Sequence, residues 1–434
     1  MNSESVTRTT VLAMILGCMQ LSCKEAPPEP TLHEVSIELS VEDASCTEAW
    51  LKVSLTDASQ PRTVAVQQDG QRVLTAQMTT ADSVFVVEGL LPAHTYSYVA
   101  QRLRDTSIVD VSIPVQATTM DTTSHDITWQ QVETLGDGNS STLWDVAIIN
   151  DTLAYAVGEI YLRDSTGQFD PMPYNMAKWN GRTWALQRLT YAGYPSPIRF
   201  VYALAQNDIW FGIGYLIHWN GSTYQEVQVP VLYGVRSVKM WCNPSGNIYV
   251  VGDNGIIVCS ADRGTSWQRV ESGTTVPLND VWGGSNRIAG ENIVLMTGSD
   301  NFTLSERKIL RLKQQGGVDS LVWGTVFLRP QSVWFDENDV FVCGDRLFRL
   351  WQDKTWRPLA TPSIFLERVR GTARNDLIIV GDFGVVLHYN GLSVHQYPDV
   401  SLSSGIYQSV AVGNNTIIAV GWSGSQAAVL VGRR

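Results

Sequence analysis

Short runs in which apolar and polar residues alternate make up most of the chain after residue 33, and turn-forming residues separate these runs. Alternation places every second side chain on one face of a strand, so the pattern predicts half-buried β-strands. The arrangement of the runs changes after about residue 120, where a repeated unit begins. The pattern therefore predicts an all-β chain with two domains.

The first domain is predicted over residues 33–120, as an antiparallel sandwich of short strands separated by turns such as Asp69-Gly70. The segment GLLPAHTYSYVAQ resembles the fibronectin type III family, in which a Leu-x-Pro segment leads to a Tyr that opens the sixth strand. The matching positions are Leu90, Pro92 and Tyr96, and Trp50 matches the core Trp of that family. The resemblance implies a spacer or adhesion module.

A single unit recurs between residues 126 and 434, and its clearest copy is ERVRGTARNDLIIVGDFGVVLHYNG, residues 367–391. It contains three predicted strands, an Asn-Asp turn, and a closing Asn-Gly that supplies the positive φ of a tight hairpin. Six weaker copies give seven units, each about 44 residues long, which is usual for propeller blades.

Aromatic or apolar residues mark a fourth strand after six of the units; they are Trp184, Tyr224, Trp267, Trp323, Trp356 and Val394. The seventh unit ends at the C-terminus without one, and Trp129 precedes the first unit without a partner. Pairing the Trp129 segment with the last three strands would give a partner both to that segment and to the unpaired edge of the seventh unit. We therefore predict a seven-bladed β-propeller over residues 126–434, closed by this N-terminal outer strand. Trp144, Trp241, Trp282 and Trp334 recur on first strands, where we expect them to pack one blade against the next.

The stretch SADRGTSW, residues 260–267, resembles the Asp-box of bacterial sialidases and related propellers through Ser260, Asp262, Gly264 and Trp267. It falls in the third unit, between strands three and four, where a turn needs an acceptor, a positive-φ glycine and an anchor for the outer strand. In Asp-box families this turn lies opposite the active site. The resemblance therefore implies a structural role, in a propeller of the Asp-box (BNR-like) or kelch-like kind.

A sialidase-like glycoside hydrolase is the enzymatic alternative, and it would need three arginines for the substrate carboxylate and a Tyr activated by a Glu. Arg199, Arg236, Arg368 and Tyr407 lie near first-strand starts, and Glu367 is close in sequence. The Phe/Tyr-Arg-Ile-Pro motif of that family is absent, and sialidases have six blades. No other catalytic motif is present. We expect a protein that is not an enzyme, without cofactor or metal.

The predicted binding surface is the face built by the loops between strands two and three and between successive blades. Insertions at residues 159–176 and 299–307 enlarge this face. Exposed aromatic residues suit recognition of a protein or a glycan. The candidates are Tyr161, Phe169, Tyr174, Tyr191, Tyr194 and Tyr233. A further alternative is an assembly factor of the cell envelope, because propellers with a single Asp-box resemble the photosystem assembly factors.

The N-terminus predicts a signal peptide over residues 1–23, because Arg8 precedes a short apolar run that is followed by small residues and cysteines. It resembles a bacterial lipoprotein signal, with Cys23 as the lipidated residue and Cys18 as the alternative. A Pro-rich tether over 24–32 would follow. This implies a lipid-anchored protein of the cell envelope, at the outer membrane, or a secreted protein if no cysteine is lipidated.

The formal net charge of −11 and the absence of a Lys/Arg run argue against a nucleic-acid partner, and leave the lipid anchor as the only predicted membrane contact. Cys46, Cys242, Cys259 and Cys343 have neither zinc-site spacing nor a paired framework. We expect them to be small buried residues.

Overall fold

A computed structural model describes residues 37–56, 62–190, 193–300, 306–313, 316–321, 329–351 and 354–434. The predicted signal peptide and tether, with Cys18 and Cys23, lie outside the described residues, as do Tyr191 and Trp323. The described elements are β-strands and three short 3-10 turns, at Pro230–Leu232, Asp253–Gly255 and Pro398–Val400. The prediction of an all-β chain is confirmed.

None of the helical turns in the described part of the chain has the length and apolar character of a membrane-spanning segment. By its contacts the chain divides into two compact units. Among the described residues, one unit comprises 37–40, 52–84 and 98–115, and the other comprises 41–51, 85–97 and 116–434.

The first eight strands form two antiparallel sheets, with strand orders β1-β2-β5 and β4-β3-β6-β7, and β8 also pairs with β6. These strands are β1 (Ile37–Ala44), β2 (Glu48–Leu55), β3 (Thr63–Gln68), β4 (Gln71–Gln77), β5 (Asp82–Glu88), β6 (Thr95–Arg104), β7 (Ser107–Val111) and β8 (Val115–Thr118). Trp50, Leu90 and Tyr96 are buried, and the Leu91 N–H donates a hydrogen bond to the Tyr96 hydroxyl oxygen at 2.8 Å. The relation to fibronectin type III domains stays a prediction.

Six four-stranded antiparallel sheets follow, each formed by four consecutive strands. Sheet 1 contains β11 (Thr142–Asn150), β12 (Leu153–Ile160), β13 (Tyr174–Trp179) and β14 (Trp184–Gln187); sheet 2 contains β15 (Phe200–Ala205), β16 (Asp208–Gly212), β17 (Leu216–Trp219) and β18 (Tyr224–Val227); sheet 3 contains β19 (Ser237–Cys242), β20 (Ile248–Gly252), β21 (Ile257–Ser260) and β22 (Gln268–Val270). Sheet 4 contains β23 (Leu278–Asn286), β24 (Gly290–Ser299), β25 (Arg307–Leu312) and β26 (Val318–Ser320); sheet 5 contains β27 (Ser332–Phe335), β28 (Val340–Cys343), β29 (Leu347–Leu350) and β30 (Trp356–Pro358); sheet 6 contains β31 (Leu366–Ala373), β32 (Asp376–Gly381), β33 (Val386–Tyr389) and β34 (Val394–Gln396).

Sheet 7 joins strands that are far apart in sequence. It contains β35 (Gly405–Val412), β36 (Thr416–Ser423) and β37 (Gln426–Arg433), with β9 (Thr128–Trp129) and β10 (Glu133–Leu135) paired to β37. Trp129 lies opposite Gly432, where a Cβ atom would come within 2.6 Å of the indole ring. The pairing predicted for the Trp129 segment is therefore present, and it removes a free edge from β37.

The first strands of successive sheets contact one another in turn, and β35 of sheet 7 contacts β11 of sheet 1. Apolar layers fill the space between neighbouring sheets. The layer between sheets 2 and 3 contains Trp210, Met240 and Val250. This arrangement is a propeller-type fold.

The outer strand of sheet 4 differs from the prediction that placed it at Trp323. The described outer strand is β26, which pairs with β25 through Leu312 and Val318. Gly316 and Gly317 both have positive φ, at 81° and 86°, so the chain reverses directly after β25. The outer strand therefore begins at Val318, before the predicted position at Trp323, which itself lies outside the described residues.

Candidate binding site at the channel mouth

Seven triplets that end in valine mark the starts of the seven first strands. They are Trp144-Asp145-Val146, Arg199-Phe200-Val201, Arg236-Ser237-Val238, Asn279-Asp280-Val281, Gln331-Ser332-Val333, Glu367-Arg368-Val369 and Gln408-Ser409-Val410. The first residues of all seven triplets line one cavity of about 310 Å³, together with Val238 and Arg368. We call it the mouth cavity, because it opens where the seven first strands begin.

Irregular backbone turns several of these side chains into the mouth cavity. The pairing of first and second strands shifts register at Trp144, Asn279, Glu367 and Gln408. A β-bulge bends the strand and re-aims a side chain, and bulges are common beside functional sites. In sheet 7 the bulge lies against Gly421, where a Cβ atom would overlap the Ile406 carbonyl oxygen. The close backbone approach therefore requires a glycine at position 421 of this second strand.

Two arginines lie on the open side of the mouth cavity. The Arg199 guanidinium sits 3.7 Å from the centre of the Trp144 ring, and burial together with the neighbouring Arg236 charge lowers the pKa of Arg199. Arg236 binds Asp253 through two hydrogen bonds, of 3.0 and 2.9 Å, so its charge is largely balanced. Arg199 is therefore the more available cation, and Trp144 holds it in place.

Arg368 forms the floor of the mouth cavity and is 6 % exposed. Its Nη1 atom lies 2.9 Å from Asp280 Oδ1, as an ion pair. Within the described residues, neither its Nε nor its Nη1 atom forms a hydrogen bond. These two atoms are themselves buried, so Arg368 contributes positive charge to the floor of the cavity, and positive charge there suits an anionic ligand.

Glu367 is the acidic member of the mouth cavity. Burial, with a smaller effect of the Asp382 charge, raises the pKa of Glu367 to about 7. Gln331 Nε2 donates a hydrogen bond to Glu367 Oε2 at 2.8 Å, and Asn279 Nδ2 donates one to Gln331 Oε1 at 3.0 Å. These amide and carboxyl groups link sheets 4, 5 and 6 along one side of the cavity.

Asp145 and Asp280, the second residues of two triplets, are buried below the mouth cavity and connect all seven sheets. Asp145 of sheet 1 accepts hydrogen bonds from the Val201 N–H of sheet 2 at 3.1 Å and the Ser409 hydroxyl of sheet 7 at 2.7 Å, and it pairs with Lys239 of sheet 3. Burial lowers the pKa of Lys239 to about 8.

Asp280 of sheet 4 connects the remaining sheets. It accepts hydrogen bonds from the Ser332 hydroxyl of sheet 5 at 2.6 Å and from Arg370 of sheet 6 at 2.7 and 2.9 Å. Burial alone would raise the pKa of Asp280, but the Arg370 and Arg368 charges lower it well below its usual range. The three cations Lys239, Arg368 and Arg370 outnumber the two aspartates, so the floor of the cavity carries a net positive charge.

A second cavity of about 300 Å³ adjoins the mouth cavity and shares Trp144 and Gln408 with it. Its other lining residues include Ser141 and Trp422. The two cavities together present two indole rings beside the arginines. Indole rings supply apolar contact area at binding surfaces.

The aromatic residues predicted to bind a ligand do not line either of these cavities. The Tyr161 hydroxyl donates to Glu159, and Arg163 and Arg188 lie over the rings of Phe169 and Tyr174. Tyr194 and Tyr233 are half exposed, at 50 % and 53 %. The Tyr233 hydroxyl also donates to Gln228, so four of the five described residues have a partner nearby in the chain or on a neighbouring strand, and Tyr191 lies outside the described residues.

Tyr407 does not take the position that a sialidase-like nucleophile would need. It is fully buried, and its hydroxyl donates a hydrogen bond to the Val400 carbonyl at 3.2 Å. The register shift falls after Tyr407, so Gln408 and not Tyr407 reaches the cavity. The arrangement of three arginines with Tyr407 and Glu367 is therefore not formed, although Arg199, Arg236, Arg368 and Glu367 do line one cavity.

The Asp-box residues form a closed turn. Asp262 accepts hydrogen bonds from the Ser266 N–H at 2.8 Å and from the Ser260 and Ser266 hydroxyls, and the Ser266 hydrogen bonds are the main reason why the pKa of Asp262 falls to about 2. Trp267 Nε1 donates to the Gly264 carbonyl at 3.0 Å. All four motif residues are used within the turn itself.

The cysteines and other titratable groups do not form a metal centre. Cys46, Cys242 and Cys343 are buried and Cys259 is partly buried; all four are free thiols. Within the described ranges, no group of three or more His, Cys, Asp or Glu residues is arranged to hold a metal ion.

Comparison with known proteins places the chain among propellers. No protein-family model matches it. A curated relative, the photosystem II assembly lipoprotein Ycf48 of Synechococcus sp. (strain RCC307), is 30 % identical over 90 residues, which are 20 % of this chain and 24 % of the relative. The chain therefore spans about a quarter of the length of that relative.

Two solved structures are similar in fold. A structure described as YCF48 bound to D1 peptide has a TM-score of 0.54 at 14 % identity, and covers 70 % of this chain and 97 % of its own. Virginiamycin B lyase from Staphylococcus aureus has a TM-score of 0.53 at 13 % identity, with 71 % and 100 % covered. At these identities the likeness establishes the propeller-type fold alone.

Trp144, Asn279, Gln331 and Gln408 line the mouth cavity but were not predicted as members of the site. Trp144 was expected to pack between blades, as Trp241 and Trp334 do from their buried positions. The signal that could have identified these four residues is the repeated valine, because the residue two places before it reaches the mouth in every unit.

Proposed function

We propose that this chain is a non-enzymatic binding protein, in which the seven sheets are the blades of a closed propeller and the mouth cavity holds an acidic segment of a protein partner. The observation that carries the proposal is the pair of arginines in one cavity. Arg368 carries positive charge at the floor, and Arg199 is held on Trp144 at the side. Guanidinium groups bind carboxylates through strong, charge-assisted hydrogen bonds.

A protein partner is favoured over a glycan by the chemistry of the cavity and by the comparisons. The cavity combines cations with indole rings, which suits a peptide that carries both acidic and apolar side chains. The similar propeller described as bound to D1 peptide supports a peptide ligand for this architecture. The curated relative is named as an assembly lipoprotein, which supports a role in assembling an envelope complex.

Selection from a random peptide library on the purified protein tests this function. The enriched peptides are expected to contain more Asp and Glu than the starting library. Arg199→Gln is expected to weaken their binding about tenfold or more, because it removes a charged hydrogen-bond donor. Trp144→Ala should weaken it as well, because Arg199 loses its support.

Arg269→Gln is the matched control, since Arg269 lies on the outer strand β22 and pairs only with the exposed Glu271. It is expected to leave peptide binding unchanged. Selection without acidic enrichment, or equal binding by the Arg199→Gln and wild-type proteins, would contradict the proposed function.

The proposal includes attachment to the bacterial cell envelope through a lipid on Cys23, with the fibronectin-like domain as a spacer. Palmitate labelling in a lipoprotein-processing host is expected to disappear in Cys23→Ala and to persist in Cys18→Ala. The reverse result would move the anchor to Cys18, and unlabelled wild-type protein would indicate secretion.

A further inference from the structure

The same histidine-aspartate pair occurs in sheets 2 and 6. His218 Nε2 lies 2.8 Å from Asp208 Oδ1, and at the equivalent positions His388 Nε2 lies 3.2 Å from Asp376 Oδ1. Both pairs join the Asp of an Asn-Asp turn to a His two residues before the Asn of an Asn-Gly turn. The same histidine-aspartate pair can therefore be compared in sheet 2 and in sheet 6 of one molecule.

The pair in sheet 6 is covered by the chain itself. The linker before β9 places His125 Nδ1 2.8 Å from His388 Nδ1, and Thr123 Oγ1 3.3 Å from His388 Nε2. The His388 side chain is 0 % exposed. Both ring nitrogens of this histidine thus have partners.

The pair in sheet 2 is open. The His218 side chain is 23 % exposed, and its Nδ1 atom forms no hydrogen bond to any residue that the structure describes. It faces a cavity of about 450 Å³, lined also by Leu204, Trp210, Asn243, Ile248 and Arg263. We call this cavity the Asp-box pocket, because Arg263 belongs to the Asp-box turn.

Arg263 brings a free cation to the Asp-box pocket. Among the described residues it has no hydrogen-bond or ion-pair partner. The hydrogen bonds to Asp262 fix the turn that carries Arg263, whose own φ is 57°. Its side chain crosses Gly246, where a Cβ atom would lie 2.5 Å from Arg263 Cγ. The guanidinium is thus held over the pocket by the turn and by a glycine that makes room for its stem.

A rigid aromatic wall completes the pocket. The Trp210 and His218 rings stack with centres 4.2 Å apart and planes 18° apart, and Trp210 Nε1 donates a hydrogen bond to Asp208 Oδ1 at 3.1 Å. The Asp208 charge is therefore already shared between two partners. Burial raises the pKa of Cys242, another lining residue, to about 11. Its thiol is therefore protonated, and it lines the pocket without acting as a nucleophile.

We propose that the Asp-box pocket is a second binding site, which takes a small ligand with a flat apolar body that lies against the Trp210 and His218 rings and a carboxylate that Arg263 binds. Its volume lies in the range of small-molecule sites, which combine apolar walls with a few convergent polar groups. Strand β19 begins at the mouth cavity and ends at Cys242, so the two sites lie at opposite ends of the strands. This site stands independently of the function proposed for the mouth cavity.

Benzoate is the probe for this proposal, with benzamide as its uncharged isostere. Saturation-transfer NMR on the full chain, together with tryptophan fluorescence titration, measures their binding. Benzoate is expected to bind saturably and about tenfold more tightly than benzamide, because only benzoate pairs with Arg263. Arg263→Gln is expected to abolish that preference.

Arg263 is exposed, so Arg263→Gln should fold normally, and unchanged selection of peptides at the mouth cavity checks this. Arg269→Gln is again the matched control and should bind benzoate like the wild type. Absence of saturable benzoate binding, equal affinity for benzoate and benzamide, or undiminished preference in Arg263→Gln would each overturn the proposal.

Discussion

Glu367 is the residue whose charge decides how the mouth cavity treats an acidic ligand. Its pKa is raised to about 7, so it is mostly neutral below that pH and negative above it. It lines the same cavity as Arg199 and Arg368, and the ionised form would compete with a ligand carboxylate for their charge.

Binding of an acidic peptide that lacks histidine is therefore expected to weaken as the pH rises through about 7. The affinity should be about threefold or more higher at about pH 6 than at about pH 8, and Glu367→Gln should remove most of the difference. Fluorescence anisotropy at constant ionic strength measures the peptide affinity at each pH. A pH dependence that persists in Glu367→Gln would assign the effect to another group.

The same raised pKa affects stability. Between the ordinary glutamate value and about 7, the folded chain holds a proton that the unfolded chain has lost. The free energy of unfolding contributed by Glu367 is thus fully present below the ordinary pKa and declines as the pH rises through about 7. Denaturant titrations should show this decline in the wild type and a flatter profile in Glu367→Gln.

Asp280 is the residue on which the buried floor depends. Arg370 donates two hydrogen bonds to Asp280, and Arg368 forms an ion pair with it. Asp280→Asn would leave two buried cations without a counter-charge, which is expected to cost about 3–5 kcal/mol of the free energy of unfolding. Urea denaturation measures this loss. Asp253→Asn, at the more exposed pair with Arg236, is the control and should have little effect.

At the scale of elements, the register shifts at Trp144, Asn279, Glu367 and Gln408 explain how these four side chains reach the site. A shift of one residue turns a strand's side chains to the opposite face. Sheet 7 shows this directly, since Tyr407 before the shift is buried in the core and Gln408 at the shift lines the mouth cavity.

Gly421→Ala is expected to be strongly destabilising, because its Cβ atom would overlap the Ile406 carbonyl oxygen and the bulge has no room to move away. A loss of about 2–4 kcal/mol in the free energy of unfolding is expected. Gly413→Ala is the control, since its nearest atom would be 3.3 Å away. Equal stability of the two variants would show that the bulge is not held by this contact.

Sequence patterns predicted the hairpins because their chemistry is local. Asn180-Gly181, Asn220-Gly221 and Asn390-Gly391 all place glycine at φ near 90°. The loops are longer than the predicted tight hairpin, with four residues each, since Trp179 pairs with Trp184, Trp219 with Tyr224 and Tyr389 with Val394. The site was harder to predict, because a bulge is decided by packing between strands and not by residue type. Arg199, Arg236, Arg368 and Glu367 were placed near the mouth from their spacing, whereas Trp144 and Tyr407 were assigned to the wrong face.

At the scale of the whole molecule, positive charge is concentrated at one site although the net charge of the chain is negative. The chain carries −11 overall, yet the mouth cavity and its floor concentrate arginines and a lysine. A positive cleft in an acidic protein focuses the field on one place, so an acidic partner is attracted there and repelled elsewhere. Peptide affinity at the mouth should therefore fall as salt is raised, which the same anisotropy titration measures.

The two proposed binding sites lie at different ends of strand β19. The mouth cavity lies at the start of the first strands, whereas the Asp-box turn borders a pocket at the other end of β19. The Asp-box residues act within their turn, and only Arg263, between two of them, is free to meet a ligand.

The affinity of one enriched acidic peptide for three proteins tests the central claim most directly. The mouth-cavity account predicts that Arg199→Gln binds the peptide about tenfold or more weakly than the wild type, whereas Arg263→Gln binds it equally well. Wild-type affinity in Arg199→Gln, or an equal loss in both variants, would contradict the claim that the mouth cavity is the protein-binding site.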